Sequence, residues 1–216
     1  MGKASRLKAE RAAARKARDV AVVQRGTPEE ELSAATIVVG ELFGIEADCA
    51  AAAGLLVAIG DELGHALRPR PVAAIIRETK SNTLLTMGPK ATEKFSPEQI
   101  AGMENLWPGG RNTGHIVVLS DEHKLLLDPN MRQLGNVGVD APSIIIRVLS
   151  TEPESGEWPF QYEDLQILYF VDDENRALLP RYENAHRESR VYAQAIAEGI
   201  RAGFDPIEIA VRMKKI

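Results

Sequence analysis

The chain has a single cysteine, Cys49, among its 216 residues. One thiol excludes an intramolecular disulfide and any zinc site built on several thiolates. Long apolar runs are also missing. The alanine-rich stretch near residue 50 is too short and too weak to span a bilayer, which takes about 20 apolar residues. The N-terminus is charged and has no apolar segment ahead of a small-residue cleavage site, so no secretory signal is expected. A cytoplasmic protein with no membrane partner follows as the expectation. No internal repeat is evident. Gly109-Gly110 and the Gly135/Gly138 pair lack the strand-to-helix setting of a phosphate loop and read as turns.

What is present is ordinary globular material: 44% hydrophobic and 26% charged residues, enough for one sizeable core and one elaborated domain. The net charge of −5 hides an asymmetry. Residues 1–26 carry eight basic side chains against two acidic ones, a net of +6, which leaves −11 for the remainder. The segment from Lys3 to Arg25 is rich in alanine, arginine and lysine and reads as a helical arm with little to bury. It fits a solvated helix folded over the acidic body, or an arm for an acidic partner such as nucleic acid.

Helix signals follow. Thr27-Pro28-Glu29-Glu30 combines an N-cap, a proline at the first helical position and a capping-box glutamate. Apolar residues then recur at helical spacing to Phe43, and Gly44 is a stop. Asp48 is placed to cap a second helix, which puts Cys49 in its first turn. That helix is apolar on nearly every side and reads as central and buried. Pro69 and Pro71 are expected to end it. Residues 72–77, 83–87, 143–149 and 165–171 read as strands. Ser96 opens a short helix to about Met103. Residues 107–114 and 135–142 read as loops, and 151–159 as a polar excursion. Residues 176–179 are candidates to pair back on the preceding strand. One long helix over 182–201, a stop at Gly203 and a short helix from Asp205-Pro206 complete the chain. The expected division is a basic arm (1–26), an α+β core (27–181) and C-terminal helices packed on it (182–216).

The centre of the reading is residues 114–129, G-H-I-V-V-L-S-D-E-H-K-L-L-L-D-P. Two apolar runs joined by a polar turn form a β-hairpin. Antiparallel pairing brings His115, opening one strand, near Asp128, closing the other. A carboxylate beside an imidazole fixes its tautomer and stabilises its charged form. Cys49 at a helix N-terminus completes a nucleophile, base and orienter, with the first-turn N–H groups as oxyanion donors. Taken singly, each residue has a plainer reading: a buried structural thiol, a surface edge-strand histidine and an ordinary Asp-Pro turn.

This order resembles the papain-like cysteine enzymes of the transglutaminase-like group, which includes the arylamine N-acetyltransferases. The resemblance rests on D-C-A-A-A-A-G-L-L around Cys49, G-H-I-V-V-L around His115 and L-L-L-D-P-N around Asp128, and covers residues 44–150. It implies a helix bearing the cysteine, packed on an antiparallel sheet that carries histidine and then aspartate on adjacent strands. It also implies thiol-dependent acyl chemistry on a peptide, amide or acyl-group substrate, with no metal or other cofactor. Trp107 and Asn112, in the loop before His115, are the candidate substrate contacts. The rival expectations are an inactive member of the same fold acting as an interaction module, and a nucleic-acid-associated protein working through the arm. Asp61 and His65, at i, i+4 spacing, read as a helix-end ion pair before a metal site. His123 and His186 read as solvated.

Overall fold

The computed structural model describes residues 26–96, 98 and 114–215. The basic arm, the helix expected after Ser96 and the 107–113 loop with Trp107 and Asn112 therefore lie outside the described residues. The architecture is α+β, with helices packed against one face of an antiparallel sheet of seven strands.

The first helix, α1 (Pro28–Phe43), starts with the capping box intact: Thr27 Oγ1 accepts from the Glu30 N–H, and Glu30 returns the bond to the Thr27 N–H at 2.7 Å. Helix α2 (Cys49–Leu63) follows, capped by Asp48, whose Oδ1 accepts from the Ala51 N–H at 3.2 Å. It ends at Gly64 in the left-handed conformation (φ 86°), before either proline is reached. Small side chains let α2 be crossed closely. A Cβ at Gly54 would lie 2.8 Å from the His186 backbone nitrogen, so this position holds the C-terminal helices near the axis of α2.

Strand β1 (Arg68–Glu78) is the spine of the sheet. On one edge its first part pairs with β3 (His115–Ser120) and its second part with β2 (Thr83–Met87). Its other edge pairs with β7 (Leu165–Val171). β3 pairs with β4 (Leu125–Asp128), β4 with β5 (Ile144–Arg147), and β6 (Glu157–Tyr162) with β7. A one-turn helix α3 (Pro89–Thr92) follows β2, and a 3-10 turn (Met131–Val137) follows β4.

Pro69 and Pro71 do not end a helix; they lie inside β1, facing Val118 and Ile116 of β3. The Pro71 carbonyl accepts from the Asp172 N–H, so its N–H-less nitrogen points to the β7 side, beyond the last ladder pair Val72–Val171. Both prolines thus interrupt no ladder bond. The polar 151–159 excursion also needs correcting. Residues 157–162 form β6, an edge strand, and an edge strand tolerates Pro159 and a polar outer row. Residues 176–179 make no strand. The expected 182–201 helix divides at Ser189 into α4 (Leu179–Glu188) and α5 (Arg190–Arg201), followed by α6 (Pro206–Met213) capped by Asp205.

Strand alternation sorts the core. Ile116, Val118, Leu125 and Leu127 share one core with residues of α1, α2, α5 and α6. Val117, Leu119 and Leu126 face the other way, with Ile76, Leu85, Met87, Trp158 and Tyr169, in a second core that the sheet curves around. The hairpin turn is pinned by Arg68, whose Nε donates to Asp121 Oδ2 at 2.7 Å and Nη2 to Oδ1 at 3.1 Å. Hydrogen bonds from Arg68 and then Thr151 lower the Asp121 carboxyl to about 2.

Candidate active site

Two neighbouring strands and one helix terminus converge where β3 starts and β4 ends, beside the middle of β1. The β3–β4 register runs Val118–Leu127, Leu119–Leu126 and Ser120–Leu125. His115 and Asp128 therefore share a face, displaced diagonally by two residues, within reach of a long side chain. His115 Nε2 lies 2.7 Å from Asp128 Oδ2, and both side chains are fully buried.

Two further donors hold the carboxylate. Tyr169 Oη, from β7, donates to Asp128 Oδ2 at 2.9 Å, and the Asn130 backbone N–H donates to Oδ1 at 3.0 Å. Burial, then the charge of Asp128 and the hydrogen bond to it, push the Tyr169 phenol well above its ordinary value, so it stays a neutral donor. His115 is raised from 6.5 to about 10. Burial acts to lower it and is the largest single influence. The Asp128 charge and hydrogen bond, with Cys49 contributing in the same sense, outweigh it.

Cys49 is 5% exposed and opens α2, which lies against β3. Cys49 lies close enough to His115 to help raise it. With Nε2 taken by Asp128, Nδ1 is the nitrogen left for the thiol. Nδ1 is buried and has no hydrogen-bond partner among the described residues. The thiol therefore lies near Nδ1 short of a formed hydrogen bond.

A second cation stands over the same helix terminus. Arg181 of α4 places Nε 2.7 Å from Asp48 Oδ1 and bonds Oδ2 through Nη2. Its guanidinium is stabilised mainly by Asp48, with a contribution from Cys49. The cap of the cysteine helix is thus itself held from the C-terminal helices.

The structure pairs His115 with Asp128 and sets the start of the Cys49 helix close enough to act on His115. Tyr169, Asn130 and Arg181 were missed by the sequence reading. Tyr169 sits in an apolar strand where nothing local marks it. Asn130 stands only at the end of L-L-L-D-P-N, and nothing local to Arg181 marks its partner. The other histidines are placed differently from expectation. His65 does not pair with Asp61, because the left-handed turn at Gly64 takes it off the helix; it meets Glu31 at 2.8 Å. Asp61 instead meets His186 at 2.9 Å, and His186 stacks on Tyr182. His123 is partly buried against the His65 ring. No group of three or more such side chains among the described residues is placed to hold a metal ion. No helix among them is long and apolar enough to cross a membrane. A cleft of about 430 Å³ lined by Glu78, Lys80, Asp140 and Asp164 lies at the Glu78 end of β1, away from Val72, which pairs with His115. No family model, no curated protein and no solved structure matches the chain.

Proposed function

We propose that this protein is a cysteine-dependent acyl-transfer enzyme, transglutaminase-like and papain-like in its arrangement, acting on an amide, ester or thioester. The observation that carries the reading is the fully buried His115–Asp128 pair at 2.7 Å with the Cys49 helix N-terminus beside it. A carboxylate, an imidazole and a thiol in that order make an activated nucleophile.

His115 is positively charged at neutral pH because Asp128 holds it so. An imidazolium and a helix N-terminus beside a thiol favour the thiolate. The thiolate adds to the acyl carbon, a C–S bond forms, and the carbonyl electron pair moves onto oxygen. The first-turn N–H groups of Cys49 and Ala50 have no helical acceptor and suit that oxyanion. Collapse breaks the bond to the amine, alcohol or thiol, which leaves with the proton from His115. The thioester is then attacked by water, or by an amine in a transferase. That proton passes to His115, and Cys49 leaves as the thiolate. Asp128 keeps one tautomer and one ring orientation throughout.

An activated ester without specificity elements, p-nitrophenyl acetate, tests this. The expected result is a stoichiometric burst of nitrophenolate with an acetyl group on Cys49 by mass spectrometry. The burst disappears in Cys49→Ser and slows by about 10²-fold or more in His115→Ala. Acylation that ignores His115, or none at Cys49, sinks the proposal.

A further inference from the structure

We propose that Asn130 is a positioning residue that sets the separation of Cys49 from His115, by tying the loop ahead of the cysteine helix to the strand end that carries Asp128. This rests on the acyl-transfer reading.

The thiol and the imidazole arrive on elements that share no backbone ladder. His115 is fixed in β3 by its pairing with β1 and β4. Cys49 is carried by a helix that packs on the sheet and, among the described residues, shares no backbone hydrogen bond with it. A displacement of about 1 Å between reacting groups costs on the order of 10²-fold in rate. A specific tie is therefore needed, and one residue supplies both ends of it. The Asn130 backbone N–H donates to Asp128 Oδ1 at 3.0 Å, while its side-chain Nδ2 donates to the Glu46 carbonyl at 2.9 Å. Pro129 between Asp128 and Asn130 removes one rotation from the link. On the other side, the Glu46 carbonyl also accepts the Asp48 N–H at 3.0 Å, and Asp48 caps the helix that Cys49 opens. The tie thus runs from Asp128 through Asn130, Glu46 and Asp48 to Cys49 without a gap.

Two features separate Asn130 from ordinary loop packing. Its side chain is fully buried, yet its Oδ1 has no hydrogen-bond partner among the described residues. Among the described residues, the hydrogen bond that this buried side chain does make is the tie to Glu46. A neighbouring amide gives the comparison: Asn136 Nδ2 donates to the Ile45 carbonyl at 2.8 Å, one residue further from Cys49 and at an exposed position. It holds the same loop without touching Asp128.

The test is the rate of Cys49 alkylation by iodoacetamide between about pH 5 and pH 9, with thermal unfolding in parallel, on wild type, His115→Ala, Asn130→Ala and Asn136→Ala. The inference predicts that Asn130→Ala loses about tenfold or more of the rate on the acid side, moving toward His115→Ala, and keeps the rate near pH 9 within about twofold. Asn136→Ala keeps the wild-type profile. Asn130→His, whose ring N–H replaces the amide donor, recovers part of the loss. Should Asn130→Ala not fold, Asn130→Ser and Asn130→His carry the same comparison. An Asn130 variant that unfolds at lower temperature with an unchanged profile is merely structural, and overturns the inference alone. A wild-type profile that His115→Ala leaves unaltered overturns the acyl-transfer reading, and the inference with it.

Discussion

Two histidine–aspartate pairs in this molecule have nearly the same geometry. His115 meets Asp128 at 2.7 Å and His186 meets Asp61 at 2.9 Å, each through Nε2 and Oδ2. They differ in surroundings. The first pair has no exposed side-chain surface, while the second is 26% and 57% exposed. Tyr169, the Asn130 N–H and Cys49 converge on the first. The second has one stacked ring, Tyr182, and solvent. A pair alone is therefore no signature of a site. What sets His115–Asp128 apart is enclosure, which removes water as a competitor, together with the number of groups aimed at it from separate elements. An exposed pair is screened and holds little free energy. A buried one fixes the charge state of both partners, and removing one strands the other.

The largest expected break of this comparison is Asp128→Ala. It leaves a buried histidine that can neither stay charged nor find another acceptor, at a cost of about 3–5 kcal/mol by denaturant unfolding. A loss below about 1 kcal/mol would place the pair in the same class as its exposed counterpart. A smaller effect is a pH dependence. Folded His115 keeps its proton up to about 10, whereas the unfolded side chain releases it near 6.5. The folded state thus binds more protons between these values. The stability that His115 contributes is complete below about pH 6.5 and is lost as pH rises through about 10. Unfolding midpoints across that window should fall more steeply in wild type than in His115→Ala; parallel curves would count against the buried ion pair. The smallest effect is His186→Ala, expected within about 1 kcal/mol of wild type. A larger loss would mean that His186 matters through its stacking on Tyr182.

The residues of the site divide by how far along the chain their partners lie. Asp48 as a cap and Cys49 in the first turn were readable because capping is decided within a few residues. His115 near Asp128 was readable because a short polar turn fixes a hairpin register. Tyr169, Asn130 and Arg181 were not, since each meets its partner across segments that only the assembled sheet and helices bring together. The prolines of β1 misled for a related reason. Their tolerance depends on which edge of the strand they face, and that edge is set by β7, nearly a hundred residues later in the chain. Edge strand β6 was hidden likewise, because its polar row and Pro159 look like a loop until β7 is beside it.

The most direct test of the central claim, that Cys49, His115 and Asp128 act as one unit, is the pH profile of Cys49 alkylation in wild type, His115→Ala and Asp128→Asn. The single cysteine means that no other thiol contributes. The account predicts a wild-type rate that persists to the acid side of neutrality and falls by about tenfold or more there in both variants. Three superimposable profiles would contradict it and return Cys49 to the hydrophobic core.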